Sequence, residues 1–433
     1  MRINFNTLWH IYRHTIFLAI AFTCYTLSAY AYVLDLPCSF NPVGSGARAL
    51  GMGGAFIAIA DDATSASWNP GGLVQLKDSE LSIVYRSYHR EEDNTFSDYM
   101  DYSGKQSISI SDINYLSFSY PFTLIHRPMV LSVNYQQLYD LNNKWVLEGF
   151  GSNNDYTQEG ILSAYGIAWS VRLVEFFSLG ITINFWDNAF GFNGWKEDQY
   201  DISYDKSRIY IRKENRSLKG MNANIGILWR LCNERLTIGA VVKLPFNAQI
   251  EMDYSYQKFF NGRPVPVYKE YPPYLKDSLE FPSSYGIGLA YEIQDNFRIS
   301  ADLYRTNWQH FIYKSQGETF SPVTGKPAHI SQIKPTHQVR LGMEYIWKKE
   351  GLMQIDIPFR GGLFYDPSPA EKSPDDFWGV SLGTGLYLNK KHCIDIAWQY
   401  RWGNNVREYL QPDFDFSQDV EEHMIYSSYV LHF

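Results

Sequence analysis

Met424-Ile425-Tyr426-Ser427-Ser428-Tyr429-Val430-Leu431-His432-Phe433 ends the chain on an alternating run of aromatic and apolar residues. Chain ends usually fray unless something ties them down, so a strand-like pattern running to the last residue needs a partner. A closed β-barrel supplies one: its last strand pairs with its first, because lipid offers nothing to an open sheet edge. The expected fold is therefore an all-β, antiparallel transmembrane barrel. Phe433 is expected to be the feature through which barrel-assembly machinery handles the chain.

Working back from that end, Ile394, Ile396, Trp398, Tyr400 and Trp402 share one face of a strand, and Asp395, Ala397, Gln399 and Arg401 share the other. Val339, Leu341, Met343 and Tyr345 repeat the pattern. A soluble sandwich buries such an apolar face, whereas a barrel in lipid turns it outward. The pattern predicts fourteen strands: 80–88, 106–119, 128–139, 160–174, 177–189, 217–230, 234–255, 282–293, 296–309, 336–348, 352–365, 376–388, 392–403 and 422–433. Long polar connections, such as 89–105 and 257–281, follow the odd strands, and short turns follow the even ones. An even-numbered outer-membrane barrel with long outer loops and short inner turns has this rhythm. Pro245, inside the seventh strand, removes a ladder hydrogen bond and predicts a bulge.

Composition agrees. Aromatic residues make up 17% of the chain, well above a soluble average and suited to girdles at both membrane interfaces. Mean hydropathy is −0.30, and no apolar run of about 20 residues follows the N-terminal one, which excludes a helical membrane protein. The net charge of −8 gives no basic surface for nucleic acid. Arg2, Arg13 and His14 precede the apolar stretch 15–27, and Ser28-Ala29-Tyr30-Ala31 follows it. Residues 1–31 read as an export signal removed on maturation. Cys38, Cys232 and Cys393 then remain, too scattered for a disulfide framework, and no pair has metal-ligand spacing. No cofactor or metal is expected.

Residues 32–79 do not fit a barrel wall. Gly44, Gly46, Gly51, Gly53, Gly54, Gly71 and Gly72 lie among alanines and serines, with Asn41-Pro42 and Asn69-Pro70 as turn signals. The segment is too irregular for lipid and is expected to fill the lumen, leaving 80–433 as the barrel. Gly46-Ala47-Arg48-Ala49-Leu50-Gly51-Met52-Gly53-Gly54, followed by Asp61-Asp62-Ala63 and Asn69-Pro70-Gly71, resembles the N-terminal hatch of the outer-membrane transporters for long-chain fatty acids and aromatic hydrocarbons, the FadL/TodX family. The likeness continues at Phe281–Tyr291, Asp302–Trp308 and Arg360–Pro369.

That resemblance implies a fourteen-stranded barrel with a hatch. It also implies passive uptake of a hydrophobic small molecule, held in an apolar lumen and released through the wall near a kinked third strand. The family's Asn-Pro-Ala motif reads Asn69-Pro70-Gly71 here, and glycine adds backbone freedom. The Ala-Asp-Asp-Ala and Asn-Pro pattern is also similar to barrels of the type IX secretion machinery, which gives a protein-secretion shuttle as the alternative.

Other candidates are weighed against plainer roles. Gln137 interrupts the outward series Met129, Leu131, Val133 and Tyr135, so a bulge at Gln136-Gln137 would mark a lateral gate; a place in the headgroup zone explains it equally. Among the lumenal charges, Arg298, Arg340 and Arg401 are candidate partners for a ligand carboxylate, and pairing within the protein is the plainer role. Asp61 and Asp62 read as a hatch-to-wall ion pair or cap rather than a Ca²⁺ site. No histidine lies in a nucleophile motif, so the chain is not expected to be an enzyme. A filled lumen also argues against an open porin. The expected location is the outer membrane, among its lipids.

Overall fold

The computed structural model describes residues 34, 36–37, 44–97, 103–149, 152–189, 191–266, 275–349, 354–389, 391–410 and 415–433. The expected signal, 1–31, and Cys38 lie outside them. The strands are β1 (Glu80–Phe96), β2 (Gly104–Leu124), β3 (Arg127–Asp140), β4 (Asn143–Gly149), β5 (Ser152–Val174), β6 (Phe177–Trp186), β7 (Gly194–Ser203), β8 (Arg208–Leu231), β9 (Leu236–Lys243), β10 (Phe246–Phe260), β11 (Arg263–Val265), β12 (Leu275–Phe281), β13 (Ser284–Gln294), β14 (Phe297–Thr306), β15 (Ile312–Ser315), β16 (Glu318–Phe320), β17 (Thr336–Lys349), β18 (Ile355–Tyr365), β19 (Trp378–Leu388), β20 (His392–Val406) and β21 (Phe416–His432).

These make a wall of fourteen antiparallel strands. β3 with β4, β6 with β7, β9 with β10, β12 with β13, and β14 with β15 each form one interrupted wall strand, because both halves follow the same neighbour. β11 and β16 are hairpin additions at the outer end. Closure is made by β21 on β1, from Glu80↔His432 to Phe96↔Phe416. Phe433 continues it: its N–H donates to the Ser79 carbonyl at 3.0 Å, and its ring stacks on Phe118.

The outward faces carry the expected apolar belt. Ile287, Leu289 and Tyr291 on β13, Leu341 and Met343 on β17, and Ile394 and Ile396 on β20 are all exposed, as side chains that meet lipid must be. Above the belt, the wall departs from expectation. Much of 89–105, read as a loop, is ladder: β1 and β2 stay paired up to Asn94↔Gly104. Part of 257–281 is likewise strand, in β10 and β12. Above the membrane a strand needs no apolar face, so the apolar alternation that marks its lower half stops before its hydrogen bonds do.

Inside, residues 44–76 pack against the strands. α1 (Ala47–Gly51) and α2 (Ser65–Trp68) are single turns, and a 3-10 turn spans Pro70–Gln75. Gly53 and Gly54 follow α1 with φ of +66° and +74°, left-handed values that glycine adopts without a Cβ penalty. Ala47, Ala49, Met52, Ala55, Phe56, Ala63, Ala66 and Leu73 are fully buried.

Candidate functional site

Two structures share the lumen: the N-terminal segment at the level of the lower wall, and an aromatic chamber against the interrupted strands. The segment is held first by charge. Arg48 pairs with Asp61 at 2.6 Å and with Glu344 of β17 at 3.0 Å; Arg298 of β14 reaches Asp61 at 3.0 Å, and Arg360 of β18 joins Glu344 at 2.7 Å to Asp395 of β20 at 2.6 Å. Burial alone would push the Asp61 carboxyl up, but Arg48 and Arg298 hold it below the usual carboxylate range. Asp62 does different work. Its Oδ1 accepts from the Thr64 N–H at 2.9 Å and the Thr64 hydroxyl at 2.5 Å, and burial raises its pKa.

Backbone contact holds the segment more closely than charge. Gly180, Gly226, Gly239, Gly288, Gly342, Gly362 and Gly383 stand on seven different strands, and a Cβ at any of them would meet the segment. It would come within 2.2 Å of the Pro70 carbonyl from Gly180, 2.4 Å of the Ile57 carbonyl from Gly239, and 2.2 Å of the Gly53 nitrogen from Gly362. Three pairs of these glycines face one another in register: Gly180↔Gly226, Gly239↔Gly288 and Gly342↔Gly362. An isolated glycine in a strand pattern signals close backbone approach. Reading that signal on the inward positions would have located the belt from sequence.

Asn69-Pro70-Gly71 sits on this belt. Asn69 Nδ2 donates to the carbonyls of Ile57 at 2.8 Å and Ile227 at 2.9 Å, while its Oδ1 accepts from the Gly71 N–H at 3.0 Å. A Cβ at Gly71 would lie 2.7 Å from the Gly226 carbonyl. Glycine at this place therefore serves docking rather than freedom; the Gly71 carbonyl itself accepts from Ser178 Oγ at 2.7 Å. Asp302 completes the anchorage by accepting the N–H groups of Phe56 and Ile57 at 2.7 and 2.9 Å.

The chamber is lined by Tyr139, Trp186, Phe246, Phe281, Trp308 and Phe311, and Leu34 and Leu36 from the start of the chain are buried in it. Three of its rings lie close to parallel, Phe246 on Phe281 at 4.6 Å and 5° and Trp186 on Phe246 at 5.1 Å and 23°, while Trp308 meets Phe311 edge-on at 82°. The wall breaks gather here. Pro245 separates β9 from β10, Pro282 and Ser283 separate β12 from β13, and a 3-10 turn at Trp308–His310 separates β14 from β15. Each break turns aromatic side chains inward that a regular pleat would have sent alternately to lipid. The bulge expected at Pro245 is thus a full interruption shared with its neighbours.

The third wall strand is irregular where the sequence pointed. The β3–β5 register shifts between Gln137 and Tyr139, so Leu138 is the extra residue. The β2–β3 ladder stops at Tyr115↔Gln136, and among the described residues no ladder pair joins β2 to β3 or β4 above it. Arg86 and Arg90 of β1 reach behind this gap, Arg86 to Asp140 at 3.1 Å and Arg90 to the Asn142 carbonyl at 3.1 Å. Gln136 points inward and donates to Asn184 Oδ1 at 3.2 Å, while Gln137 is half-buried on the other face.

The three arginines considered for a ligand carboxylate are all engaged by the protein. Arg298 is on Asp61; Arg340 donates to the Gly53 carbonyl at 3.1 Å and lies 3.4 Å from Asp366; Arg401 pairs with Glu422 at 3.0 Å. Several lumenal cations escaped the sequence reading, among them Arg360, Arg86, Arg90 and Lys243. Lys243, the last residue of β9, is buried, lies over the Tyr304 ring at 5.6 Å, and lines two small cavities. Each cavity measures about 20 Å³, room for about one water. No group of His, Cys, Asp and Glu suited to a metal occurs among the described residues.

Solved structures share this architecture. A Pseudomonas aeruginosa FadL homologue matches with a TM-score of 0.63 at 12% identity, covering 91% of this chain and 99% of its own. The Pseudomonas putida toluene transporter TodX matches at 0.61 and 13%, covering 92% and 100%, and the Ralstonia pickettii toluene transporter TbuX at 0.55 and 12%, covering 91% and 99%. At such identity the likeness establishes the fold, and with it the expected resemblance at that level. A wall closed on itself with an apolar outer belt places the chain in an outer membrane. No curated protein matches it in sequence. A family model described as BamG matches residues 45–411, most of the chain, and the chain belongs to the BamG family.

Proposed function

We propose that this barrel admits hydrophobic compounds to its aromatic chamber and releases them sideways through the gap between β2 and β3, with residues 44–76 acting as a hatch that denies water a straight path. The observation that carries the reading is the coincidence of chamber and gap: Tyr139 lines the chamber and stands one residue past the bulge at Leu138, where the β2–β3 ladder has ended. A ligand leaving there enters lipid without crossing the hatch. The fold shared with a toluene transporter supports the same reading. Gln136 and Gln137 flank the exit, and Asp61, Asp62 and the Asn69-Pro70-Gly71 turn keep the hatch seated.

The test is uptake into proteoliposomes. Propylbenzene should partition into vesicles bearing the barrel, against an added aqueous sink, faster than into vesicles bearing an unrelated barrel; equal rates would end the proposal. The family match favours a second reading, association with the barrel-assembly machinery. The tightly filled lumen suits it too, since a barrel acting as a scaffold needs no open path. Depletion of the protein in cells separates the two: a fall in other folded barrels supports assembly, and a defect confined to hydrophobic growth substrates supports uptake.

A further inference from the structure

Lys243 is a lumenal cation with few contacts of its own. It is 9% exposed. Among the described residues no carboxylate lies within ion-pair distance of it and no hydrogen bond reaches its Nζ; the Tyr304 ring is its one partner. Asp302 shares one cavity with it, spends Oδ2 on the Phe56 and Ile57 N–H groups, and leaves Oδ1 buried without a hydrogen bond, beyond ion-pair distance of Lys243. Arg340, on the same cavity, is engaged by Asp366 and Gly53. A buried charge without a partner is costly, and Lys243 is the residue that lines both of these cavities. Asn224, opposite Lys243 in the ladder, leaves its Oδ1 buried without a partner, and Gln338 does the same with its Nε2. On the far side of Lys243 stand the near-parallel rings of Phe246 and Phe281.

We propose that this junction is a subsite for an aromatic carboxylic acid, its carboxylate on Lys243 and its ring extending the Trp186, Phe246 and Phe281 stack. The inference rests on the uptake reading and narrows it, from hydrophobic compounds at large to an anion with a flat apolar body. An acyl chain would satisfy the ammonium but not use the stacking geometry, and a neutral hydrocarbon would use the rings but leave the charge unpaired. Entry requires the packed side chains around Lys243 to move apart, since the empty space alone holds no ring.

Tryptophan fluorescence of the detergent-solubilised protein, titrated with 3-phenylpropanoate, propylbenzene and octanoate, tests this. Phenylpropanoate should bind at least tenfold tighter than either other probe. Lys243→Met should erase its advantage over propylbenzene, and Lys243→Arg should keep it within about threefold, with folding of both variants checked by heat-modifiable gel mobility. Equal binding of phenylpropanoate and propylbenzene, or an advantage that survives Lys243→Met, overturns the role of Lys243. Tighter binding of octanoate overturns the aromatic class. Binding of none of the three overturns the uptake reading itself.

Discussion

At the scale of single residues, the wall glycines and the buried ion pairs make separate demands. Gly362→Ala places a methyl group 2.2 Å from the Gly53 nitrogen, where the nearest atoms are all Met52-Gly53 backbone and no flexible tip can move. Overpacking of this kind costs about 1–3 kcal/mol. The variant should lose its heat-modifiable band at a lower temperature than wild type, while Gly104→Ala, at a position open on all sides, should not. Asp61 adds a dependence on pH. Its carboxyl is held below its ordinary value by Arg48 and Arg298, so its contribution is present above the unfolded pKa of about 3.9 and is lost as pH falls through the folded one. Protease should reach the lumenal segment as pH drops below about 4, and Asp61→Asn should show increased cleavage already at pH 7. Cleavage unchanged across both conditions would remove charge pairing as the anchor.

At the scale of elements, interruptions matter more than strands. Deleting Leu138 removes the extra residue at the β3 register shift and lets β3 continue its ladder with β2 past Tyr115↔Gln136. Uptake of propylbenzene should then fall at least tenfold, with binding in the chamber within about threefold of wild type; equal loss of both would mean the deletion damaged the chamber instead. The sequence showed where such features lie and not what they become. The Met129 to Gln137 pattern located the irregularity to within one residue, because an outward glutamine breaks a period of two. Pro245 announced a break for the same local reason. That Pro282-Ser283 and Asn307 break at matching heights is a property of register between strands, which one strand's pattern does not carry. Arg298, Arg340 and Arg401 were legible as lumenal from alternation, but their partners lie on other strands and in the lumenal segment. Lys243 passed unnoticed because nothing in Val241-Val242-Lys243-Leu244 says which acids are near.

At the scale of the whole molecule, fourteen strands were countable because lipid imposes an apolar outer face on each, whereas the water-exposed upper ribbons carry no such mark and were read as loops. The same closure sets the expected electrical behaviour. With the lumenal segment and the chamber both packed, the reconstituted barrel should show no steady conductance in planar bilayers, and a channel of porin size would contradict the packing. The glycine belt has a further consequence for how the molecule comes into being. Glycine is among the weakest strand formers, and here it recurs on seven strands at the level where the lumenal segment lies against them. A wall built without that segment would have a waist of poorly ordered backbone, so the segment serves as a mandrel on which the cylinder is wound. Its thermal transition should accordingly be single, lumenal segment and wall melting together, and a chain beginning at residue 80 should fail to reach a heat-modifiable form unless residues 44–76 are supplied in trans.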